Sequence, residues 1–322
     1  MDTSFSLLIP VFNDWKCLSL LLRALDDELN QQHIPVDILV VDDASSVAIS
    51  DELLVQNYKS IQQIHLLKLK RNLGHQRAIA IGLAYAEAHI PTKALVVMDG
   101  DGEDTPTDVL RLMEKCEEEN YTKIIFARRS KRSESIYFKA FYVIYKLLYR
   151  VLTGQDINVG NFCIIPLQSL RRLTGVSEVW NHYAAGIMKS KIPFLTIPTA
   201  RGTRLYGKSK MNFVALITHG LSAISIYGDI VGVRLLIASS FLILLSAIAI
   251  LLVVAIRLTT NMAIPGWASY ITIILLIGLL QAMMLSLVFI FVILNSRNNY
   301  SFLPERDYHY FILDVQTIFT QS

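Results

Sequence analysis

Two stretches without a charged residue restrict what this chain can become. Residues 235–256 carry no charge, and residues 268–294 hold nothing more polar than Gln281. A helix rises about 1.5 Å per residue, so either run can cross the roughly 30 Å hydrocarbon layer of a bilayer. We read transmembrane helices at 234–256 and 268–295, followed by a tail at 296–322. They explain a chain of 322 residues that is 53% hydrophobic with a mean hydropathy of +0.43. Residues 1–210 alternate polar and apolar segments as a soluble domain does, with length enough for a core of their own.

Composition narrows the function. Two spans without interior charge do not line a substrate path, which disfavours a pure channel or transporter. The net charge of +3 is mild, and no nucleic-acid partner is expected. Cys17, Cys116 and Cys163 are widely spaced, so neither a disulfide nor a metal pattern is read and a reducing compartment fits. The start, Met1-Asp2-Thr3-Ser4, lacks a basic residue, and the apolar run 5–11 is too short for a signal core. The soluble domain is therefore expected in the cytoplasm, and the whole is expected as an integral protein of the plasma (inner) membrane.

Short apolar runs at 5–11, 36–41, 64–69, 94–98, 123–127, 159–165 and 192–198 read as strands. Helical spacing falls between them: Leu18, Leu21, Leu22, Leu25 and Leu29; a segment near 51–58; one from 71–78 to His89; and 107–119. The alternation predicts an α/β fold with a mostly parallel, doubly wound sheet. Polar clusters sit where strands end. They are Asn13-Asp14, Asp42-Asp43-Ala44-Ser45, Asn72-Leu73-Gly74, Arg128-Arg129 and, most acidic, Asp99-Gly100-Asp101-Gly102-Glu103-Asp104. Open α/β sheets bind ligands at that edge. Carboxylates so spaced suit Mg²⁺ or Mn²⁺ sharing its shell with phosphate oxygens. The plainer alternative is an acidic turn before a helix, with Asp104 or Thr105 capping and Pro106 in the first turn.

Pro10-Val11-Phe12-Asn13-Asp14, Val40-Val41-Asp42-Asp43-Ala44-Ser45, Asn72-Leu73-Gly74 with Ala78, and Asp99-Gly100-Asp101-Gly102-Glu103 follow one another as in inverting family-two glycosyltransferases. With two C-terminal spans, the chain resembles their polyprenyl-phosphate branch, which includes dolichol-phosphate mannose synthases and bactoprenol glucosyltransferases. The resemblance implies a Rossmann-like A-type glycosyltransferase domain, a nucleotide-sugar donor, a polyprenyl-phosphate acceptor and Mg²⁺ or Mn²⁺. Pro10, Asn13 and Asp14 would border the nucleotide and Asp42 would contact its base. Asp43 is divided between that role and capping. Asn72 and Gly74 would present a helix N-terminus to phosphate. Asp99 would lie near ribose or metal, and Asp101 would be the main metal ligand. Glu103, where relatives often carry Gln, would bind metal or orient the acceptor. Arg128 matches the acceptor-phosphate position, with Arg132, Ser135 and Lys139 as further contacts. The basic run also reads as a solvated loop or a lipid-headgroup site.

Residues 201–210, Arg-Gly-Thr-Arg-Leu-Tyr-Gly-Lys-Ser-Lys, resemble the family's Arg-x-x-Gly-x-Ser-Lys loop. That assigns Arg204, Ser209 and Lys210 to the donor diphosphate. Asn161 and Cys163 stand where relatives often have Asp and Arg, which removes an acid or Arg role there. Residues 136–152 interleave aromatics with Lys139, Lys146 and Arg150 and read as an interfacial helix, with a second at 211–229. Glu178 or His182 would serve as base only if the acceptor were a hydroxyl. A homo-oligomer is compatible with the sequence, and a role for the tail is not readable from it.

Overall fold

The computed structural model describes residues 4–49, 57–129, 136–156, 158–207, 213–260, 266–298 and 302–321. Arg132, Ser135, Ser209, Lys210 and most of the helix expected near 51–58 lie outside them, as does the side chain of Lys139. The chain forms two compact units. One comprises residues 1–145, 156–226 and 301–322, and the other residues 146–155 and 227–300.

The first unit begins with β1 (Phe5–Val11), α1 (Trp15–Gln31), β2 (Val36–Asp42), β3 (Ile61–Leu69), α2 (His75–His89), β4 (Ala94–Val97), α3 (Pro106–Glu118) and β5 (Ile124–Arg129). Helix α4 (Ile136–Thr153) leads to β6 (Cys163–Pro166), α5 (Leu167–Leu173), a 3₁₀ turn at Ser177–Trp180, α6 (Tyr183–Ser190), β7 (Phe194–Thr199) and α7 (Phe213–Ser225). Alternate residues of β1 serve opposite layers. Leu7 and Ile9 pack with the leucines of α1 and with Val109 and Leu112 of α3, whereas Leu8 packs with Ile79 and Leu83 of α2. Burial on both faces is why these strands read as continuous apolar runs.

The eight strands lie in the order β7-β5-β6-β4-β1-β2-β3-β8. Pairings β1/β2, β1/β4, β2/β3 and β5/β7 are parallel. Strand β6 is antiparallel to both β4 and β5. The sheet is thus more mixed than the expected mostly parallel one. Because β6 is reversed between them, β4 and β5 still point the same way, and β1, β2, β4, β5 and β7 all end on one edge.

The last strand comes from the tail. After α8 (Gly228–Thr259) and α9 (Trp267–Asn298), the chain passes α10 (Pro304–Asp307) and adds β8 (Ile312–Thr320) antiparallel to β3. Phe319 meets Tyr58 edge-on with centroids 5.0 Å apart, and Trp180 lies 3.8 Å from Phe302 and 5.1 Å from Phe311. Since β8 shares a sheet with β1, the chain returns to its first unit after two helices, each about 48 Å long at 1.5 Å per residue. Both are long and apolar enough to cross a membrane. Within the second unit, Ser239 and Ser286 join α8 to α9 through hydroxyls 2.7 Å apart, as small polar residues do between helices in lipid. Arg234 donates to the Val151 carbonyl near the end of α4 at 2.6 Å.

Asp26 on α1 is a buried anchor that sequence reading passed over. Its carboxylate accepts the N–H groups of Lys59, Ser60 and Ile61 at 2.7–3.0 Å, fixing the start of β3. Asp26→Ala strands three donors; a hydrogen bond to a charged group contributes roughly 1.5–3 kcal/mol net, and bonds sharing one carboxylate do not simply add. A loss of about 2–4 kcal/mol is expected in denaturant unfolding of the full chain, with a smaller loss for Asp26→Asn. A change within 0.5 kcal/mol, in effect about zero, would mean water replaces the carboxylate.

Candidate active site

The shared sheet edge gathers most of the described candidates. Asn13, in the left-handed region at φ 52°, ties the loop after β1 to the loop after β2. Its side-chain oxygen Oδ1 accepts from Ser46 N at 2.8 Å and Val47 N at 3.0 Å, and its backbone N–H donates to Ser45 Oγ at 2.8 Å. Asp42 Oδ1 accepts the Ser45 N–H at 2.8 Å. Asp43 is a brace: its two carboxylate oxygens accept from Leu73 N at 2.7 Å and Gly74 N at 2.9 Å, and its carbonyl accepts from Asn72 Nδ2 at 3.2 Å. Burial raises the Asp43 carboxyl above its usual range, and the two backbone donors oppose the rise. The cap expected of Asp43, for a helix near 51–58, falls outside the described residues, and its carboxylate serves the loop before α2 instead. It shapes the Asn72–Gly74 loop, and Gly74 is the N-cap of α2.

The capping reading of the acidic stretch is met in its second half. Thr105 caps α3 by accepting from Asp108 N, with Pro106 at its first position. Asp104 accepts the Asp99 N–H at 3.0 Å and closes the turn. Asp101 and Glu103, however, face arginines from the loop after β7. Glu103 is gripped by Arg201 through Nε at 2.8 Å and Nη2 at 2.7 Å. Asp101 Oδ1 accepts from Glu103 N at 3.0 Å, and its Oδ2 accepts from Arg204 Nη1 at 3.2 Å. Arg204 Nη2 bonds the Asp14 carboxylate. The two segments also pair through their backbones, Gly202 N to Glu103 O at 2.9 Å and Leu205 N to Asp101 O at 3.0 Å. Glycine is required on both sides. A Cβ on Gly102, at φ 84°, would come within 2.4 Å of Leu205, and one on Gly202 within 2.7 Å of the Gly102 carbonyl. Burial raises the Asp101 carboxyl; the Asp99 and Glu103 charges add to this, while the Glu103 N–H and Arg204 oppose it.

The donor set fits a hard divalent cation in part. Among the described residues no three His, Cys, Asp or Glu side chains converge into a ready cage. Asp99 and Asp101 supply the one or two carboxylates that Mg²⁺-type sites use when substrate phosphates complete the shell. The fit is to a cation that arrives with a diphosphate.

Sequence reading gave His75 and Gln76 no role, although they follow directly on Asn72-Leu73-Gly74. His75 Nε2 lies 3.0 Å from Asp99 Oδ1 and 2.9 Å from Asn161 Nδ2. Gln76 bridges Asn161, at 3.2 Å, and Tyr183 N, at 2.6 Å. Asn161, a departure from the family pattern, therefore braces the Asp99 side of the edge. Arg128 is exposed one residue before the end of β5, in register with Pro198 of β7.

The two base candidates are engaged elsewhere. Glu178 pairs with Lys189 at 3.3 Å. His182 caps α6, its Nδ1 accepting from Ala185 N at 3.3 Å, and its ring stacks on His219 of α7 at 4.4 Å. Burial, helped by the neighbouring His219, lowers the His182 pKa to about 3. The unfolded chain, with an ordinary histidine near 6.5, binds the extra proton between those values. Stability from this group is full above about pH 6.5 and is lost as pH falls toward 3, at up to roughly 1.4 kcal/mol per pH unit. His182→Asn keeps a capping oxygen and is expected to flatten that slope in unfolding scans from pH 7 to 4. An unchanged slope would assign it to other groups.

An open α/β sheet with acids, a helix N-terminus and arginines on its carboxyl edge is built to hold a phosphorylated ligand. The chain is a member of glycosyl transferase family 2, whose model matches residues 6–176. It is 27% identical over 282 residues to the uncharacterized glycosyltransferase YkcC of Bacillus subtilis, covering 84% of this chain and 83% of that one. It is 25% identical over 223 residues to the undecaprenyl-phosphate 4-deoxy-4-formamido-L-arabinose transferase of Salmonella choleraesuis, covering 66% and 64%. Its fold matches glucosyl-3-phosphoglycerate synthase of Mycobacterium tuberculosis, crystallised with Mn²⁺, UDP and phosphoglyceric acid. The TM-score is 0.51 at 10% identity, over 71% of this chain and 79% of that one.

Proposed function

We propose that this chain is a membrane-bound inverting glycosyltransferase that moves one sugar from a nucleotide-sugar, by default a UDP-sugar, to polyprenyl phosphate on the cytoplasmic face. The observation that carries the choice of acceptor is the absence of a base among the two candidates. A hydroxyl must lose a proton as it attacks, whereas a lipid phosphate is already anionic. Glu178 is held by Lys189, and His182 caps a helix with its basicity depressed. The relative named for undecaprenyl phosphate supports the same choice.

In this reading a phosphate oxygen of the lipid attacks the anomeric carbon in line. The bond from that carbon to the nucleoside diphosphate breaks, and negative charge gathers on the departing group. Arg128 holds the attacking phosphate, with Arg132, Ser135 and Lys139 as further contacts. Asp42 and Asn13 frame the nucleotide, and the N-terminus of α2 faces phosphate. Arg204, Ser209 and Lys210 meet the diphosphate. A bound Mg²⁺ or Mn²⁺, held by Asp101 with Asp99, would supply Lewis-acid charge neutralisation there. Rate comes from positioning and charge stabilisation.

Three features support the membrane setting. Two long apolar helices separate segments that belong to one sheet, as expected of a pair that crosses a bilayer and comes back. Val143, Ile144, Leu147, Leu148 and Val151 of α4 are exposed along one helical face, as on a helix lying in the headgroup layer. In sequence, Arg234 precedes the first span and Arg297 and Arg306 follow the second, against Arg257 alone in the link, a balance that suits a cytoplasmic catalytic unit.

The test uses the full chain in membranes with Mg²⁺ or Mn²⁺ and a panel of UDP- and GDP-sugars. Labelled sugar is followed into polyprenyl phosphate. Transfer to the lipid is the expected result and identifies the donor. Donor hydrolysis without lipid product would move the reading to a hydroxyl acceptor. Binding without turnover of any donor would favour a non-catalytic nucleotide-binding protein.

A further inference from the structure

We propose that Arg204 is a built-in counter-cation that keeps the divalent-metal site closed until a nucleoside diphosphate arrives. The inference rests on the metal-assisted donor chemistry above and adds an order to it.

Arg204 fills the centre of the acidic edge. Its Nη1 lies 3.2 Å from Asp101 Oδ2, its Nη2 bonds Asp14, and its Nε donates to the Tyr206 carbonyl at 2.9 Å. The side chain is only 15% exposed. Its loop is pinned on both flanks by the backbone pairs Gly202–Glu103 and Leu205–Asp101, and Arg201 clamps Glu103. One short loop thus supplies two guanidinium groups against the carboxylates of Asp14, Asp101 and Glu103, while Asp99 pairs with His75.

The hydrogen bonds of Asp101 leave a cation in direct competition. Oδ1 receives the Glu103 N–H and Oδ2 receives Arg204. A metal at Oδ2 competes with the guanidinium for that oxygen, and pulling a largely buried charge from its partners is costly. A diphosphate removes that cost, because it offers the guanidinium a bidentate anion in exchange. It also brings the oxygens that a cation with one or two protein carboxylates lacks. Metal and diphosphate therefore bind with positive coupling, which linkage makes reciprocal. Metal alone binds weakly, and Arg204 is the positioning residue that sets the coupling.

The experiment measures Mn²⁺ binding to the full chain in detergent micelles, from the spin-resonance signal of free Mn²⁺, without nucleotide and with UDP or GDP. Wild type is expected to bind weakly alone and far more tightly with the matching diphosphate. Arg204→Met should bind Mn²⁺ at least about tenfold more tightly without nucleotide, a change worth about 1.4 kcal/mol. Arg204→Lys keeps the charge but loses the rigid planar fork that holds two carboxylates at fixed positions, and it should gain severalfold. In both variants the gain on adding nucleotide should shrink. Unfolding midpoints check the fold, and the lysine variant carries the test if the methionine variant misfolds. The proposal falls if nucleotide-free affinity in the variants stays within twofold of wild type. It also falls if Arg204→Lys matches wild type while Arg204→Met gains, since nearby charge alone would then set the affinity. Mn²⁺ bound by no form, with or without nucleotide, would overturn the metal-assisted reading and this proposal together. Wild-type binding that needs UDP, with variants unchanged, would overturn the proposal alone.

Discussion

Asp101→Ala is expected to lower sugar transfer by about three orders of magnitude while leaving the fold as stable as before. Loss of one preorganised donor to a developing anion costs roughly 10²–10³ in rate, and a metal's neutralisation adds several kcal/mol to what is lost. Stability should hold because burial and the Asp99 and Glu103 charges all disfavour the ionised Asp101 carboxylate. Its removal leaves Arg204 still paired with Asp14. Asp101→Asn separates charge from shape. It preserves an acceptor for the Glu103 N–H and removes the anion, so it should fall almost as far as alanine. Measured together, kcat for lipid glycosylation and the unfolding midpoint decide the matter. Retention of a tenth or more of the activity in either variant would end the case for Asp101 as the metal-side carboxylate.

Removal of residues 312–322 should destabilise the catalytic unit by about 3–5 kcal/mol, although the cut lies beyond both apolar helices. Strand β8 covers the outer edge of β3 and brings Ile312, Val315, Ile318 and Phe319 against the two cores. A fully buried side chain of this kind contributes roughly 1.5–3 kcal/mol, and these four are partly buried. Against a typical domain stability of 5–15 kcal/mol, roughly a third of the total is at stake. Loss of the strand also bares a row of unpaired backbone groups on β3, which invites aggregation. Denaturant unfolding of the truncated and full chains, with proteolysis at 61–69, reads the effect. An unchanged midpoint with β3 still protected would show that the tail rests on the sheet without supporting it.

Much of this molecule was readable from neighbours in the chain. The strands of residues 5–129 came out within a few residues of expectation, because apolar runs bounded by polar turns record burial on both sheet faces. Thr105 and Pro106 announced the start of α3 for a local reason as well, since a cap bonds to a residue three positions away. Reversed β6 was not legible. Four residues, Cys163–Pro166, carry no mark of direction, and their pairing with β4 and β5 depends on where α4 delivers the chain. The tail read as an appendage because the alternation of Ile312–Thr320 is weak, and its partner β3 lies some 250 positions earlier.

The candidate site divides along the same line. Sequence alone determined that acids stand at the strand ends, that a glycine-containing basic loop precedes the spans, and that two helices can cross a bilayer. Each of these is a property of adjacent residues: their polarity, spacing and backbone freedom. Only the tertiary structure decided that Asp43 braces a loop, that His182 caps a helix, that His75 meets Asp99, and that Arg201 and Arg204 close on Glu103 and Asp101 across 98 and 103 positions. Thirty basic and 27 acidic side chains offer hundreds of pairings. Charge acts through space, so the choice among them waits for the sheet edge to bring two distant segments within hydrogen-bonding distance.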